Sequence, residues 1–397
     1  MRRGDFIVVQ SSMAEGDVCR VFLESIAPLG EALGRIGGKP VFVEGGAPQE
    51  TVLCRVTGEH RTWARAQLLE IIEPSPARTN KTCAYYGECG GCNLQHIDYE
   101  AQIAAKASIL TEHFKTIGGF SPPMPEIVPS PPWEYRNRTQ FHCLRQKAKG
   151  VNSVFGFKGR GSGGIIAVSD CPVASPGIRK LLRGDEKIPM PPEKDRFTVF
   201  SAGELLLSEG GTERGKINLL EKEITADAGV FFQSNLVMLE KLIAELRSLC
   251  EARSDGQMAD LYCGVGTFAL FLGDAYAKTL LAEENKRAVS VARENLKGTN
   301  AEFFALRDTE WERTILRRKA DLSFAVVDPP RAGLALKLAS ALAHSGPPVL
   351  AYVSCDSASL ARDSKILTGG GYKPEKLTLF DFYPQTSHIE TLAVFNR

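Results

Sequence analysis

Hydrophobic residues in the last third of the chain occur in short uninterrupted runs, which are separated by longer amphipathic stretches. The runs lie near residues 258, 279, 302, 324, 349, 377 and 389. Uninterrupted apolar runs are typical of parallel strands buried on both faces, and the stretches between the first six have a helical pattern. The last two runs have no helix between them. The pattern therefore predicts an α/β sheet that is mostly parallel and carries one added hairpin.

Residues capable of chemistry stand at the ends of these predicted strands. Cys355 closes one run, Asp328 closes another, a turn with Gly264 and Gly266 closes a third, and the last run begins beside Glu390. Ligand sites of open α/β sheets lie beyond the carboxyl ends of the strands. We therefore expect a thiol, two carboxylates and a cofactor-binding turn to converge on one crevice.

The first 73 residues have a different pattern, in which short alternating runs are divided by glycine-rich turns at Gly34, Gly37, Gly38, Gly45 and Gly46. Five strands are predicted, at Asp5–Val9, Val18–Leu23, Pro40–Val43, Glu50–Val56 and Trp63–Glu70. Five short strands at this spacing predict a small barrel of the oligonucleotide-binding kind. A proline-containing linker follows, then one helix near 99–117 and glycine-rich β segments. The predicted domains are 1–73, 74–215 and 216–397.

Composition limits the classes of protein that the chain can belong to. Its 397 residues carry a net charge of +1, so any contact with nucleic acid must use local patches rather than a global cationic field. The basic start is not followed by an apolar segment, and no run approaches the length of a membrane span. We expect a cytoplasmic protein, in which ten cysteines argue for metal-binding or catalytic thiols rather than disulfides.

Three of the cysteines, Cys83, Cys89 and Cys92, lie within ten residues of one another. Their spacing suits either a structural zinc ion or an iron–sulfur cluster. The glycine pair before Cys92 favours the cluster slightly, because backbone amides can then approach bulky sulfides. Cys171, in a loop before a proline, is the best candidate for the fourth ligand. Cys143 lies in an alternating strand pattern and is expected to pack in a core.

The segment Asp260–Ala269 has the pattern of a strand, a glycine turn and a helix start, and it nearly matches a dinucleotide-binding fingerprint. Glu283, at the end of the next strand, suits the ribose diol of either a nicotinamide cofactor or S-adenosylmethionine. Asp328-Pro-Pro-Arg ends the fourth strand, and no hydride-transfer machinery is recognisable. These features favour methyl transfer, although a proline pair at a strand end is also compatible with a simple turn.

Taken together, the motifs resemble those of the RNA (uracil-5-)-methyltransferases, in the iron–sulfur, TRAM-domain branch that methylates uridine in large-subunit ribosomal RNA. The matching stretches, in family order, are Ile26–Arg35, Val41–Val43, Cys83–Cys92, Tyr135–Arg138, Ser169–Pro172, Phe231–Asn235, Asp260–Phe268, Asp328–Gly333, Val353–Asp356 and His388–Thr391. The resemblance implies a TRAM barrel, a central iron–sulfur domain rich in β-structure, and a Rossmann-like methyltransferase domain. Two positions depart from the family pattern: Asp356-Ser357, where many members carry Asn-Pro, and Asp308, where many carry Asn.

The resemblance also implies specific site residues. The ligands of a [4Fe–4S] cluster would be Cys83, Cys89, Cys92 and Cys171. The residues in contact with S-adenosylmethionine would be Gln233, Tyr262, Glu283 and Asp328, although Asp328 could instead bond the polar edge of uracil. The RNA substrate would be 23S ribosomal RNA, with transfer RNA as the alternative, and we expect a monomer that needs no protein partner.

The chemistry explains why a thiol and a carboxylate are needed. Carbon 5 of uracil is a weak nucleophile, and a thiolate that adds to carbon 6 turns the ring into an enolate. A base must then remove the proton from carbon 5. Cys355 and Glu390 are assigned these two roles. Each taken alone could be an inert buried thiol or a solvated acid, but their combination with Asp328 and Gln233 favours catalysis. Arg331 and Arg362 are expected to lower the thiol pKa or to hold phosphate.

A base-paired uridine cannot present carbon 6 to a thiol, so the target must be looped out or flipped. Aromatic and cationic residues could hold the surrounding RNA, although ordinary solvated charge is as good an explanation for each one singly. They are Arg55, Arg61, Trp63, Arg65, Arg136, Arg138, Lys147, Lys149, Lys158 and Arg160. Two other classes stay open at this point: a redox enzyme with a nicotinamide cofactor, and an RNA-binding protein whose catalytic half is inactive.

Overall fold

The computed structural model describes residues 13–144, 154–161, 163–189, 195–250, 253–314 and 322–397. These residues form two compact units. The first contains the described residues up to Ile109 together with Arg160, Gly161 and Pro384–Ser387, and the second contains the rest. Within the described ranges, no helix is long and apolar enough to cross a membrane. The domain boundaries expected near residues 73 and 215 stay predictions.

The first unit is built on a closed five-stranded barrel. Its strands are β1 Val18–Ile26, β2 Ala32–Ile36, β3 Lys39–Glu44, β4 Thr51–Glu59 and β5 Ala64–Glu73. They follow the order β1-β2-β3-β5-β4, in which only the pair β3 and β5 is parallel. Alternate side chains, among them Val21, Val41 and Val52, fill the interior and are fully buried. The predicted small barrel is therefore confirmed.

One strand of the barrel differs from the prediction. β2 lies where Gly34 was expected to mark a turn. A Cβ atom at Gly34 would lie 2.4 Å from the carbonyl oxygen of Phe22, so the glycine permits close approach of neighbouring backbone within the sheet. The strand predicted at Asp5–Val9 lies outside the described residues.

Buried hydrogen bonds join the cysteine-containing segment of the first unit to the barrel. The fully buried carboxylate of Glu50 accepts hydrogen bonds from the guanidinium group of Arg78. His96 Nε2 lies 2.8 Å from the carbonyl oxygen of Gly46, and its Nδ1 lies 2.5 Å from the Tyr86 hydroxyl. Burial lowers the pKa of His96, so the ring is neutral and can serve as a fixed structural link.

One helix, a five-stranded sheet and a two-stranded sheet precede most of the large sheet in the chain. α1 Tyr99–His113 continues as a π-helical turn, Phe114–Gly118, which confirms the helix predicted near 99–117. The strands that follow are β6 Glu126–Val128, β7 Arg138–Leu144, β8 Val154–Lys158, β9 Ile165–Ile166, β10 Arg196–Ala202, β11 Leu205–Ser208, β12 Arg214–Leu219 and β13 Lys222–Asp227. Five of them form an antiparallel sheet in the order β11-β10-β7-β8-β9, and β12 and β13 form the two-stranded sheet. Helix α2, Pro176–Arg183, packs near this sheet, and Cys143 is buried in its core as expected.

The large sheet has eight strands in the order β16-β15-β14-β17-β18-β20-β19-β6. Its remaining strands are β14 Arg253–Leu261, β15 Tyr276–Ala282, β16 Ala301–Phe304, β17 Leu322–Val327, β18 Val349–Ser354, β19 Lys373–Phe380 and β20 Glu390–Asn396. The helices of this region are α3 Leu236–Leu249, α4 Thr267–Leu272, α5 Lys286–Asn295, α6 Asp308–Thr314, α7 Leu336–Ser345 and α8 Ser357–Gly369.

All seven strands predicted for this sheet are present, and the hairpin of β19 and β20 is confirmed. β20 lies between β18 and β19 and runs antiparallel to both. The short strand β6 was not anticipated and extends the sheet beside β19. Successive strands spread from β14 first towards β16 and then, from β17, in the other direction. The carboxyl ends of β14 and β17 therefore flank the point where strand order reverses, which is where α/β sheets bind ligands.

Candidate active site

A cavity of about 680 Å³ lies at this point, beyond the carboxyl ends of the parallel strands. The residues predicted to act in catalysis and cofactor binding all line it: Gln233, Tyr262, Glu283, Asp328, Cys355 and Glu390. The predicted convergence of a thiol, two carboxylates and a glycine turn is confirmed. The chemical role of each residue stays a prediction.

The glycine turn after β14 forms one wall of the cavity. Gly266 has a φ of 81°, and a Cβ atom there would lie 2.8 Å from Leu296 Cδ1, so both the conformation and the packing require glycine. Tyr262 also has a positive φ, of 62°. Glu283, at the end of β15, accepts a hydrogen bond from the backbone N–H of Gly264 at 3.2 Å. The turn and the acid expected to hold a ribose diol are thus joined directly.

Asp260, the last acid before this turn, is completely buried beneath it. Its Oδ2 accepts a hydrogen bond of 2.9 Å from the backbone N–H of Ala269 in α4. Burial raises its pKa to about 7. The carboxyl group therefore ties the start of α4 to the end of β14 rather than facing the cavity.

Tyr262 reaches from the turn to the other side of the cavity. Its hydroxyl donates a 3.0 Å hydrogen bond to Asp308 Oδ2, and its ring meets the Trp311 ring edge-on at 4.6 Å between centroids. Burial raises the pKa of Tyr262, so the hydroxyl keeps its proton and acts as the donor. Asp308, whose contact the sequence left open, lies on the cavity wall.

Gln233 is held over the cavity by buried polar contacts. Asn137 Nδ2 donates to the Gln233 carbonyl oxygen at 3.3 Å, and Asn235 caps α3 by accepting from the Met238 N–H. The Gln233 side chain donates through Nε2 to Asp328 Oδ2 at 3.4 Å. Its Oε1 is buried without a hydrogen-bond partner in the part of the chain that the structure describes. A buried amide oxygen of this kind can accept a bond from a polar ligand.

Cys355 follows directly after β18, and the side chain of Asp356 caps α8 by accepting a 2.8 Å hydrogen bond from the Ser359 N–H. The thiol is half-buried. Burial raises its pKa to about 12, and the negative charges of Glu390 and Asp328 act in the same direction, whereas Arg331 opposes them. The free thiol is therefore protonated at neutral pH, and its attack on a substrate requires a proton acceptor.

Two of the acids that line the cavity, Asp328 and Glu390, differ in exposure. Glu390 is only 3% exposed. Its pKa is raised well above the ordinary value, chiefly by burial and to a lesser degree by the negative charge of Asp328. Asp328 lies partly open to the cavity, and burial of its carboxyl group raises its pKa to about 7. Two neighbouring acids with raised pKa values can hold protons at a pH where exposed acids would be ionised.

The two arginines predicted to act on the thiol or on phosphate occupy different places. Arg331 lines the cavity, with Nη2 3.4 Å from His388 Nδ1. Arg362 is not among the residues that line it and instead donates to Asp363 and to the carbonyl oxygen of Ala332. Arg362 is not among the charges that act on the thiol pKa, because α8 points its guanidinium group into the neighbouring loop. Its expected contact with phosphate stays a prediction.

The sequence did not single out Tyr383 or Trp311, which also line the cavity. Tyr383 is hydrogen-bonded to Ser234, and its ring meets the His388 ring edge-on at 5.7 Å between centroids. Tyr383 stands shortly after the buried strand β19, the same strand-end signal that identified Asp328. That signal could have found it.

The rim of the cavity carries cationic and aromatic groups. The Arg138 guanidinium lies 5.6 Å from the centre of the Phe231 ring, and Phe231 is 55% exposed. Arg136 lines the cavity beside them. Lys147 and Lys149, which were also predicted to contact RNA, lie outside the described residues.

In the first unit, the hairpin between β4 and β5 presents an aromatic stack. The rings of His60 and Trp63 stack at 3.8 Å between centroids, and the Arg65 guanidinium lies 5.4 Å from the Trp63 ring centre. The Phe42 ring meets Trp63 edge-on. Arg160, another predicted RNA contact, instead binds Glu44 at 2.6 Å.

The predicted metal ligands do not form a recognisable site. Cys83, Cys89 and Cys92 belong to the first unit and Cys171 to the second, and all four are half-buried. Among the described residues, no group of three or more His, Cys, Asp or Glu side chains is placed to hold a metal ion. Four thiols are the right donor atoms for an iron–sulfur cluster, and their ligation of one stays a proposal.

A doubly wound sheet with a glycine turn, an acid after the next strand and a buried amide beside them is the architecture of an S-adenosylmethionine-dependent methyltransferase. A family model described as tRNA (Uracil-5-)-methyltransferase matches residues 214–397, and a TRAM domain model matches residues 14–69. The chain is 34% identical to an RNA methyltransferase of Treponema denticola, over 91% of this chain and 94% of the relative. The chain therefore belongs to the RNA (uracil-5-)-methyltransferase family.

Two further likenesses extend over nearly the whole chain. A 23S rRNA (uracil(1939)-C(5))-methyltransferase of Nitrosococcus oceani is 28% identical, with 94% of this chain and 95% of the relative covered. The structure of a Pyrococcus abyssi tRNA (uracil-54, C5)-methyltransferase in complex with S-adenosyl-L-homocysteine superposes with a TM-score of 0.73. That match covers 95% of this chain and 99% of the other at 23% identity, which shows the fold.

Proposed function

We propose that the protein transfers a methyl group from S-adenosylmethionine to carbon 5 of a uridine in RNA. The observation that supports this most directly is the presence of Cys355, Asp328 and Glu390 in the cavity that also contains the glycine turn. A thiol beside two acids with raised pKa values supplies the nucleophile and the proton acceptors that covalent activation of a pyrimidine requires.

The cofactor site would be formed by Gln233, Tyr262, Glu283 and Asp328. S-adenosylmethionine, when bound, supplies an electrophilic methyl group on a sulfonium ion. Glu283 stands where a ribose diol is bound in this type of sheet, and the unpartnered Oε1 of Gln233 can accept a bond from the donor's polar end. Asp308 and the edge-packed rings of Tyr262 and Trp311 would close the far side.

The first chemical step is the addition of Cys355 to carbon 6 of uracil. The sulfur–carbon bond forms as the carbon 5–carbon 6 π bond breaks, and its electrons move to the carbonyl at carbon 4 as an enolate. The thiol proton passes to the ionised carboxylate of Asp328, whose raised pKa suits it to receive the proton. Carbon 5 has then become nucleophilic enough to attack the methyl group.

The second step regenerates the enzyme. After methyl transfer, carbon 5 carries both the new methyl group and its original proton. Glu390, in its ionised form, removes this proton, and the electrons restore the double bond and expel Cys355 from carbon 6 as a thiolate. The thiolate takes its proton back from Asp328, and Glu390 releases the carbon 5 proton to solvent. Since Glu390 is 3% exposed, the base is shielded from water while it acts.

The RNA would be held outside this cavity by aromatic and cationic surfaces. The target base must leave its stack to reach Cys355. The exposed Phe231 with Arg138, and the stacked Trp63 with His60 in the barrel, offer π faces for unpaired bases. We propose 23S ribosomal RNA as the substrate, because relatives that align over almost the whole chain carry that name, and transfer RNA as the alternative.

We further propose that Cys83, Cys89, Cys92 and Cys171 bind a [4Fe–4S] cluster. Support comes from the spacing of the thiols and from the family resemblance, and not from the placement of the side chains. Neither chemical step above is an oxidation or a reduction, so the cluster would be structural or would position RNA.

The function is tested by mapping 5-methyluridine. Purified protein is incubated with S-adenosylmethionine and with ribosomal RNA or transfer RNA from a strain that lacks the gene, and digests are analysed by mass spectrometry. We expect one new 5-methyluridine in 23S ribosomal RNA. A new mark in transfer RNA alone would support the alternative substrate, and no 5-methyluridine in either RNA would contradict the proposed function.

A further inference from the structure

A buried carboxylate on α8 holds the loop that follows Asp328. Asp363 is fully buried, and its Oδ2 accepts hydrogen bonds of 2.8 Å from the backbone N–H of Leu334 and from the hydroxyl of Tyr352. Its Oδ1 accepts a 2.8 Å bond from Arg362 Nε. A carboxylate with this number of fixed donors has one defined orientation, because breaking any bond leaves a buried charge poorly compensated.

Arg362 extends the same set of contacts along the loop. Its Nη2 donates to the carbonyl oxygen of Ala332 at 2.9 Å and to that of Leu334 at 3.3 Å. Gly333 lies between these two residues with a φ of 74°. A Cβ atom on Gly333 would lie 2.5 Å from Asp363 Oδ2 and 2.6 Å from Arg362 Nη2, so the loop backbone rests directly on the pair.

The loop and the helix each adjoin a residue of the reaction site. Residues 329–334 leave Asp328 and include Arg331, whose guanidinium group lines the cavity. α8 begins two residues after Cys355. Tyr352 lies on β18, the strand that ends just before Cys355. The contacts of Asp363 therefore join the elements next to the nucleophile to the loop that carries Arg331, the cation whose charge acts on Cys355.

We propose that Arg362 and Asp363 are positioning residues, which hold Arg331 in its place beside Cys355 and Glu390. Neither residue is among those that line the described cavity, so neither is expected to touch the target base or cofactor. The inference rests on the proposed function. It replaces the expectation that Arg362 acts directly on the thiol.

The test is the rate at which enzyme and RNA containing 5-fluorouridine at the target position form a covalent adduct. Arg362→Gln should slow this step by about tenfold to a hundredfold, since small displacements of a charged group near reacting atoms have effects of this size. Its affinity for S-adenosyl-L-homocysteine should stay within about twofold, which also shows that the variant is folded. Gly333→Ala should also slow adduct formation, because the added Cβ atom displaces the loop backbone. Lys365→Gln, an exposed change on the same helix, is the matched control and should leave the rate unchanged.

A double-mutant cycle separates positioning from a general loss of structure. Arg331→Ala should itself slow adduct formation, and adding Arg362→Gln to it should cause little further loss, because both changes act through one group. If the double variant loses the product of the two single losses in rate, the two residues act independently and the inference is overturned. It is also overturned if either Arg362→Gln or Arg331→Ala forms the adduct at the wild-type rate. If wild-type protein forms no adduct, the proposed function fails and the inference fails with it.

Discussion

Asp328 raises the pKa of Glu390, and both carboxyl groups line the cavity that contains Cys355. Burial is the larger cause of the shift in Glu390, and Arg331 only partly opposes it. The cavity can therefore keep a carboxyl proton at pH values where an exposed pair would have lost it. This arrangement suits a reaction in which a proton must first be accepted from a thiol and later be removed from carbon 5.

Glu390→Gln should make the protein more stable at alkaline pH. A carboxyl group whose pKa is higher in the folded state lowers the free energy of unfolding as pH rises from its unfolded to its folded pKa, because only the unfolded chain releases the proton there. Replacement by Gln removes this loss. We expect the free energy of unfolding of the variant to exceed that of wild type by about 1–3 kcal/mol at pH 8 and by less at pH 5. Urea unfolding at the two pH values measures it, and an equal change at both would contradict the raised pKa.

The same variant should trap the reaction on natural RNA. Glu390→Gln retains Cys355 and the cofactor turn, so addition to carbon 6 and methyl transfer can proceed, but the proton on carbon 5 has no acceptor. A protein–RNA species that survives denaturing electrophoresis is expected, with turnover reduced by roughly 100-fold or more. Near wild-type turnover without such a species would mean that another residue is the base.

Trp63→Ala should weaken RNA binding without affecting the cofactor site. Stacking of a base on an aromatic side chain contributes about 1–3 kcal/mol, so affinity for the RNA substrate should fall by roughly tenfold. Trp63→Tyr, which retains a π face, should lose less. Fluorescence anisotropy with labelled RNA measures the change, and S-adenosyl-L-homocysteine affinity serves as the control. Equal RNA affinity of the Ala variant and wild type would exclude the Trp63 stack from substrate binding.

Anaerobically purified protein should contain about four irons per chain and absorb broadly near about 400 nm, as iron–sulfur proteins do. Cys171→Ser should lose iron, whereas Cys143→Ser, a change in the core of the small sheet, should retain it. RNA binding or folding should suffer more than cofactor binding when a ligand is lost. Stoichiometric zinc without iron would reject the cluster and leave the methyltransferase proposal intact.

The parallel sheet could be predicted because its strands are buried on both faces and therefore appear as uninterrupted apolar runs. β2 could not, since Gly34 has the signature of a turn but serves to let two backbones approach. β6 was missed for a similar reason: three residues at a sheet edge, Glu126–Val128, are too few to form a pattern. Local sequence does not record which neighbour a short segment will pair with.

Part of the site could be predicted from strand ends and motif spacing. These two signals placed Cys355, Asp328 and Glu283 at one edge of the sheet. The direction of a helical side chain is a different matter. Arg362 lies only seven residues after Cys355, yet it faces the loop at Ala332 and not the cavity. The position of a residue on a helix face depends on what that helix packs against, and this information is not local.

Covalent catalysis by Cys355 is the central claim, and the most direct measurement is mass spectrometry of the complex formed with 5-fluorouridine RNA and S-adenosylmethionine. Fluorine on carbon 5 cannot be removed as a proton, so the adduct should persist. We predict that the RNA-derived mass lies on the peptide containing Cys355, and that Cys355→Ala forms no adduct while binding S-adenosyl-L-homocysteine within a few-fold of wild type. An adduct formed by Cys355→Ala, or one located on a different residue of the wild-type protein, would contradict the account.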